Sequence, residues 1–157
     1  MTIRAATPAD VPLIASLVRE LAEYEKLADQ AVATDADFGG ALFGPSPKAH
    51  ALIVEDQGQP AGFALYFYNF STFLGRPGIY IEDVFIRPEF RRNGYGRKIF
   101  KYLAQKALAE GCGRVEWWVL DWNAPAIDFY RGLGAVAMDE WTVQRLTGDA
   151  LKTFAES

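Results

Sequence analysis

The sequence predicts one α/β domain built on a mixed, mostly antiparallel sheet, and three observations carry that expectation. Short Val-, Ile- and aromatic-rich runs alternate with segments whose apolar residues recur at helical spacing. In the first half the strand-like runs follow one another across tight turns, which gives antiparallel neighbours. In the centre, the apolar run Ile79–Ile86 leads into a glycine bend and then a helical pattern. The 157 residues suffice for one sizeable core, so a single domain spanning 1–157 is expected.

Composition narrows the classes. Half of the residues are hydrophobic and 14% aromatic, which excludes a disordered chain. A formal net charge of −4 argues against a nucleic-acid partner. Cys112 is the sole cysteine, so an internal disulfide is excluded and no metal cluster is expected. No leader pattern opens the chain and no apolar run approaches about 18 residues. A cytoplasmic protein without a membrane partner is expected.

Taken in order, Ile3-Arg4 reads as a first strand. Thr7-Pro8-Ala9-Asp10 is a helix start, with a Thr cap, a Pro at the first position and an acid in the first turn. Val11, Ile14, Leu17, Val18 and Leu21 then form one apolar stripe. Thr34 caps a second helix reaching about Phe43, expected to break at Gly39-Gly40. Ala49–Glu55 and Pro60–Tyr68 are strands joined through Asp56-Gln57-Gly58-Gln59. After the central strand, Ile99, Leu103 and Ala107 mark a third helix ending at Gly111. Arg114–Leu120 is a strand, Asp121–Gly134 holds a fourth helix, and Val136–Leu146 supplies the last strand or strands. The count is six to seven strands and about four helices, with the tail from Leu151 to Phe154 unassigned.

The bend Arg91-Arg92-Asn93-Gly94-Tyr95-Gly96 has the chemistry of an anion site. The first amides of a helix lack intrahelical partners and point outward with the positive end of its dipole. Glycines let a phosphate approach that backbone, and Arg91, Arg92 and Arg97 add cationic charge. The spacing fits neither G-x-G-x-x-G nor G-x-x-x-x-G-K-[ST].

Arg91-x-x-Gly94-x-Gly96 after a strand resembles the coenzyme A pyrophosphate loop of the GNAT acetyltransferase superfamily. Three further blocks, in matching order, resemble its diamine (spermidine/spermine) and thialysine acetyltransferases: Arg19–Glu25, Tyr80–Phe85, and Trp122-Asn123-x-Pro125 running on to Tyr130-Arg131-x-x-Gly134-Ala135. The resemblance implies acetyl transfer from acetyl-CoA to a primary amine of a small molecule, by direct attack, in a homodimer. It implies that Tyr130 protonates the departing thiolate. Val84, Phe85 and Ile86 would hold the pantetheine arm, Arg91, Arg92, Asn93, Gly94, Tyr95, Gly96 and Arg97 the pyrophosphate, with Asn123, Pro125 and Ala126 also on the cofactor. Tyr24, Glu25, Glu82, Asp83, Glu116, Trp117 and Trp118 would line the amine site, with an acidic contact at Asp139 or Glu140, of which Glu140 is taken as the candidate. Ser71 stands where polyamine enzymes of this family carry an acid, which favours a shorter or amino-acid-like amine such as thialysine.

The chemistry explains the acids. An alkylamine with a pKa near 10.4 is mostly ammonium at neutral pH, so a carboxylate must bind the cation and receive its proton. Glu82 and Asp83 are adjacent on a strand, so their side chains take opposite faces unless a bulge intervenes. Glu82 is assigned the proton, through water, and Asp83 a supporting place. If the strands around Val84 and Val119 splay apart, unpaired amides become available to the thioester arm and its carbonyl. Two rival readings share the loop: a non-catalytic acyl-CoA sensor, and a protein-lysine acetyltransferase with an open groove.

Overall fold

The computed structural model describes residues 1–157. It divides into two compact units, Met1–Trp122 and Asn123–Ser157.

The first unit is a five-stranded sheet in the order β1 (Thr2–Ala5), β2 (His50–Asp56), β3 (Gln59–Ser71), β4 (Arg76–Ile86), β5 (Val115–Trp117). Its first four strands are antiparallel neighbours, whereas β5 runs parallel to β4. Parallel pairing needs a crossover, supplied by α3 (Tyr95–Ala109).

Helices α1 (Val11–Tyr24) and α2 (Asp35–Phe43) cover one face. The expected stripe on α1 is the buried one: Ile14, Leu17 and Leu21 join Ile53, Phe63, Leu65 and Phe85 in one core cluster. Side chains of that size each contribute roughly 1.5–3 kcal/mol on full burial. On the other face Ile99, Phe100, Leu103 and Ala107 are buried along α3, and Phe100 stacks edge-on against Trp117 at 4.8 Å. Helix α3 closes with Gly111 N–H on Leu108 O (3.2 Å) and Cys112 N–H on Ala107 O (2.8 Å), the paired bonds of a Schellman motif.

The start of α1 is clamped to the sheet. A 3₁₀ turn at Pro8–Asp10 precedes it, and Asp10 accepts from Thr7 N–H at 2.7 Å. Arg4 on β1 bonds both oxygens of Asp10, at 2.7 and 2.9 Å, and pairs with Glu55 on β2 at 2.8 Å. The middle of α1 is tied to the exit of β4, where Arg87 meets Glu20 at 2.9 Å and donates to Pro60 O at 3.2 Å. Strands β3 and β4 approach so closely that a Cβ on Gly62 would stand 2.2 Å from Phe85 O. Only glycine fits there.

The second unit holds α4 (Ala124–Gly132) and α5 (Gly148–Ala155). Helix α4 begins as expected, with Asn123 Oδ1 accepting from Ala126 N–H at 3.4 Å.

Several boundaries differ from expectation. Helix α2 runs through Gly39 and Gly40 to Phe43; two glycines cost about 1 kcal/mol each, and the buried Leu42 and the cap at Thr34 hold the helix. The strand expected at Arg114–Leu120 stops at Trp117, and Val136–Leu146 forms no strand. The sheet therefore has five strands, not six or seven, and the tail adds a fifth helix. A strand is a property of a pair, because its amides need a neighbour's carbonyls. Alternating apolar residues alone do not make one.

Candidate active site

Three carboxylates gather beside the exit of β4. Leu65 pairs with Asp83 and Tyr66 with Ile81, so Glu82 has no partner on β3: a β-bulge sits there. Asp83 lies opposite Leu65, which places it on the α1 face. A cleft of about 180 Å³ on that face is lined by Val18, Leu21, Ala22, Glu25, Leu27, Gln30, Ala31 and Asp83. Strict alternation would send Glu82 away from Asp83, but a bulge re-aims the extra side chain. Glu82 is exposed and acts electrostatically on Asp83, Glu25 and Tyr80 together.

Their charges are not neutralised. Burial first, then the charges of Glu82 and Glu25, pushes the Asp83 carboxyl up to about 7. Burial and Glu82 raise Glu25 in the same direction, and burial with Glu82 and Glu116 raises the Tyr80 phenol. Desolvation and like charge both disfavour an anion, so this cleft gains by admitting a cation. The three acids are not arranged with any other His, Cys, Asp or Glu side chain as a metal-holding group.

Next to the acids the sheet opens. β5 pairs with β4 only along Ile79–Ile81, so from Glu82 to Ile86 that edge of β4 has no strand beside it. Val84, Phe85 and Ile86 lie on this edge, with the Phe85 ring turned into the core. The chain then passes a 3₁₀ turn at Pro88–Phe90 into the glycine bend. Arg92 and Gly94 take left-handed conformations, with φ of 66° and 74°. A Cβ on Gly94 would meet nothing within 4 Å, so this backbone is open to a ligand. The first bond of α3 runs from Lys98 N–H to Gly94 O at 3.1 Å. The amides of Tyr95, Gly96 and Arg97 stand ahead of that ladder. An anionic diphosphate fits this bend, and an extended amide-bearing arm fits the bared edge of β4.

Not every candidate in the bend offers its side chain. Tyr95 is buried and its phenol bonds Asp56, which raises it; its backbone amide is what remains for an anion. Asn93 Nδ2 donates to Phe90 O at 3.2 Å and shapes the turn. The Arg92 and Arg97 side chains are exposed. Arg91 turns back instead: its Nε donates to Ile86 O at 2.8 Å, and its guanidinium lies over the rings of Tyr24 (4.9 Å) and Phe85 (5.5 Å). Sequence spacing carried no sign of this contact.

Along β5, Glu116 and Tyr80 share a face. Glu116 accepts from Asn69 Nδ2 at 3.3 Å and pairs with Arg114 at 3.8 Å. Trp117 points to the α3 side, away from the acids, while exposed Trp118 meets Tyr80 edge-on at 6.0 Å. In the second unit, Asn123 caps α4, Pro125 and Ala126 form its first turn, and Tyr130 lies on its second. Glu140 is exposed beside a turn closed by Trp141 N–H on Met138 O at 3.2 Å. The cleft walls Leu27, Gln30 and Ala31 were not among the sequence candidates. Their only sign in the sequence was position, just past the acidic end of α1.

A mixed sheet opened between two parallel strands, with a glycine bend at a helix start, defines the fold of an acyl-CoA-dependent transferase. The sequence profile of the acetyltransferase (GNAT) family matches residues 15–135, and the chain belongs to that family. It is 40% identical to a thialysine N-epsilon-acetyltransferase of Bos taurus, over 98% of this chain and 96% of that protein. It is 36% identical to an L-ornithine N5-acetyltransferase of Arabidopsis thaliana, over 97% and 86% respectively. Among solved structures, an integron cassette protein from the mobile metagenome of V. cholerae superposes with a TM-score of 0.83 at 25% identity, over 99% of this chain and 98% of that one. The protein is an acetyl-CoA-dependent N-acetyltransferase with the GNAT fold, and its substrates are amines.

Proposed function

We propose that this enzyme acetylates the primary amine of a small molecule, with a thialysine- or ornithine-like amino acid favoured over spermidine or spermine. The observation that carries the reading is the unneutralised trio Glu25, Glu82 and Asp83 beside the opened edge of β4. Relatives named for thialysine and ornithine acetylation support the substrate class. Ser71 supports the shorter amine: its hydroxyl accepts from Arg114 at 2.5 Å and from Leu74 N–H at 3.1 Å. A serine beside an arginine gives a distal ammonium nothing to bind.

Acetyl-CoA supplies an activated acyl group on a thiolate leaving group. The amides opening α3, together with the cations of the bend, hold its diphosphate. The bared edge of β4 at Val84–Ile86 orients the arm and polarises the acyl carbonyl, an electrostatic contribution that is large when donors are preorganised. Glu82, exposed in the bulge, accepts the proton of the bound ammonium through water, and Asp83 and Glu25 share the charge. At pH 7.5 presenting such an amine neutral costs roughly 4 kcal/mol, which is the work asked of these acids. Tyr130 on α4 gives the thiolate its proton; the block from Trp122 to Ala135 supports that assignment.

The working unit in this reading is one domain of 1–157, supported by a family match that runs across Trp122 and Asn123. The active form is a homodimer. Val136, Met138, Trp141, Val143 and Leu146 are all more than half exposed, and β5 ends the sheet with one edge unpaired. Exposed apolar alternation and a free edge both favour association.

A panel of thialysine, ornithine, lysine, putrescine, spermidine and a lysine peptide, assayed for release of free CoA thiol, tests this. Fastest turnover on the amino acids is expected. Peptide turnover equal to theirs would replace the reading with protein acetylation, and no thiol release from any amine would leave a carrier-binding sensor.

A further inference from the structure

We propose that Arg91 makes amine binding depend on the acyl carrier. Its guanidinium holds the face of Tyr24 until a diphosphate at the start of α3 draws it away. The proposal rests on the acetyl-transfer reading above and adds a second task to the diphosphate contact expected of this residue.

Arg91 leaves the 3₁₀ turn with its N–H on Pro88 O at 3.2 Å. Its side chain folds back over β4, with Nε on Ile86 O at 2.8 Å and the guanidinium 4.9 Å from the Tyr24 ring and 5.5 Å from Phe85. Phe85 is buried and Tyr24 is 41% exposed, so the cation covers the ring that looks outward. Tyr24 is also flanked by Trp122, with centroids 6.3 Å apart, and Lys26 lies over that tryptophan at 4.9 Å. The aromatic surface at the end of α1 is thus occupied by cations of the protein itself.

Tyr24 directly precedes Glu25, which lines the acid cleft with Asp83. An ammonium drawn to these acids has the Tyr24 face as its natural aromatic partner. Arg91 and the substrate are ligands of one kind competing for one surface. The guanidinium does not neutralise the acids: neither Glu25 nor Asp83 owes any of its shift to Arg91. Its hold on the site is the aromatic face, together with a positive charge at the approach.

That hold is reversible. Only Nε is bonded, to a neutral carbonyl, and the other N–H groups of the fork remain for an anion. Tyr95, where the open amides begin, is four residues further on. A diphosphate offers bidentate, charge-assisted bonds that a carbonyl and a ring face do not match. The left-handed backbone of Arg92 already turns the chain between the two positions. By linkage, whatever the carrier does for the amine, the amine does equally for the carrier.

Calorimetric titration of thialysine into the enzyme, with and without saturating CoA, tests the coupling in wild type, Arg91→Ala and Arg91→Lys. In wild type CoA is expected to tighten amine binding about tenfold, within the usual range of such couplings. Arg91→Ala should bind the amine without CoA as tightly as wild type does with it, and CoA should then change nothing. Arg91→Lys keeps a cation but loses the fork, and should show reduced coupling. Wild-type amine affinity indifferent to CoA, or Arg91→Ala with wild-type coupling, overturns the proposal. An enzyme that acetylates amines without this coupling sinks the gate alone. One that neither binds nor acetylates any amine with CoA or acetyl-CoA present sinks the acetyl-transfer reading and the gate with it.

Discussion

Asp83 and Glu25 reach one cleft from different elements, β4 and the end of α1, and no cation is paired with either. The charge of Glu25 raises the cost of ionising Asp83, and the charge of Glu82 raises it for both. The Asp83 carboxyl, pushed up to about 7, therefore gains or loses its proton in the pH range where the enzyme must receive one. In the proposed mechanism ionised Asp83 helps hold the ammonium whose proton Glu82 takes, so the low-pH limb of kcat/KM for the amine rises through about pH 7. Glu25→Gln removes one like charge, so the Asp83 pKa falls and the limb moves to lower pH. A pH–rate profile of both proteins checks this; an unmoved limb would separate Glu25 from the proton's path.

The same shift has a sign for stability. The folded protein binds the Asp83 proton more tightly than the unfolded chain, so ionisation destabilises the native state increasingly as pH rises from about 4 to 7. Asp83→Asn is expected to raise stability at pH 8 by on the order of 4 kcal/mol, while lowering turnover. Below pH 4 it should change stability little. Urea titrations at the two pH values decide it.

Asp10 is the opposite case. Its bonds to Arg4, with a further bond from Thr7, hold the carboxyl at about 2 against its burial. The stabilisation is present above the unfolded value near 4 and is lost as pH falls toward 2. Asp10→Asn should cost about 2 kcal/mol at pH 7 and little at pH 2. Equal losses at both pH values would assign the effect to packing.

Gly94 has φ +74° with open space around it. Gly94→Ala should destabilise the fold by only about 1 kcal/mol, the cost of a left-handed alanine. CoA affinity, measured by calorimetry, should fall by much more than this implies, since the new methyl stands where the diphosphate would lie.

Tyr130→Phe should lower kcat by up to about 10²–10⁴-fold, the usual range for a positioned acid. CoA affinity should be unchanged. A wild-type rate would leave the thiolate to solvent.

Much of the fold was legible in local sequence. The stripe from Val11 to Leu21, the caps at Thr34 and Asn123 and the bend at Gly94 each depend on residues within a few positions of one another. The glycines of α2 misled, because burial of Leu42 outweighs a local penalty. The run Val136–Leu146 misled for the complementary reason: its alternation is that of a strand, but no neighbouring strand pairs with it, and a strand needs a partner's amides and carbonyls.

Residue order by itself determined the α/β class, the helix caps and the glycine bend, because dipoles, caps and periodicity act within one element; the family and its candidate acids were legible through the resemblance of four blocks of sequence. Tertiary structure alone decided that Glu82 stands in a bulge, that Glu25 joins Asp83 in one cleft, and that Arg91 lies on Tyr24. Each of these is a relation between segments distant along the chain, created when β3, β4 and α1 come into register, and no spacing within one segment encodes it.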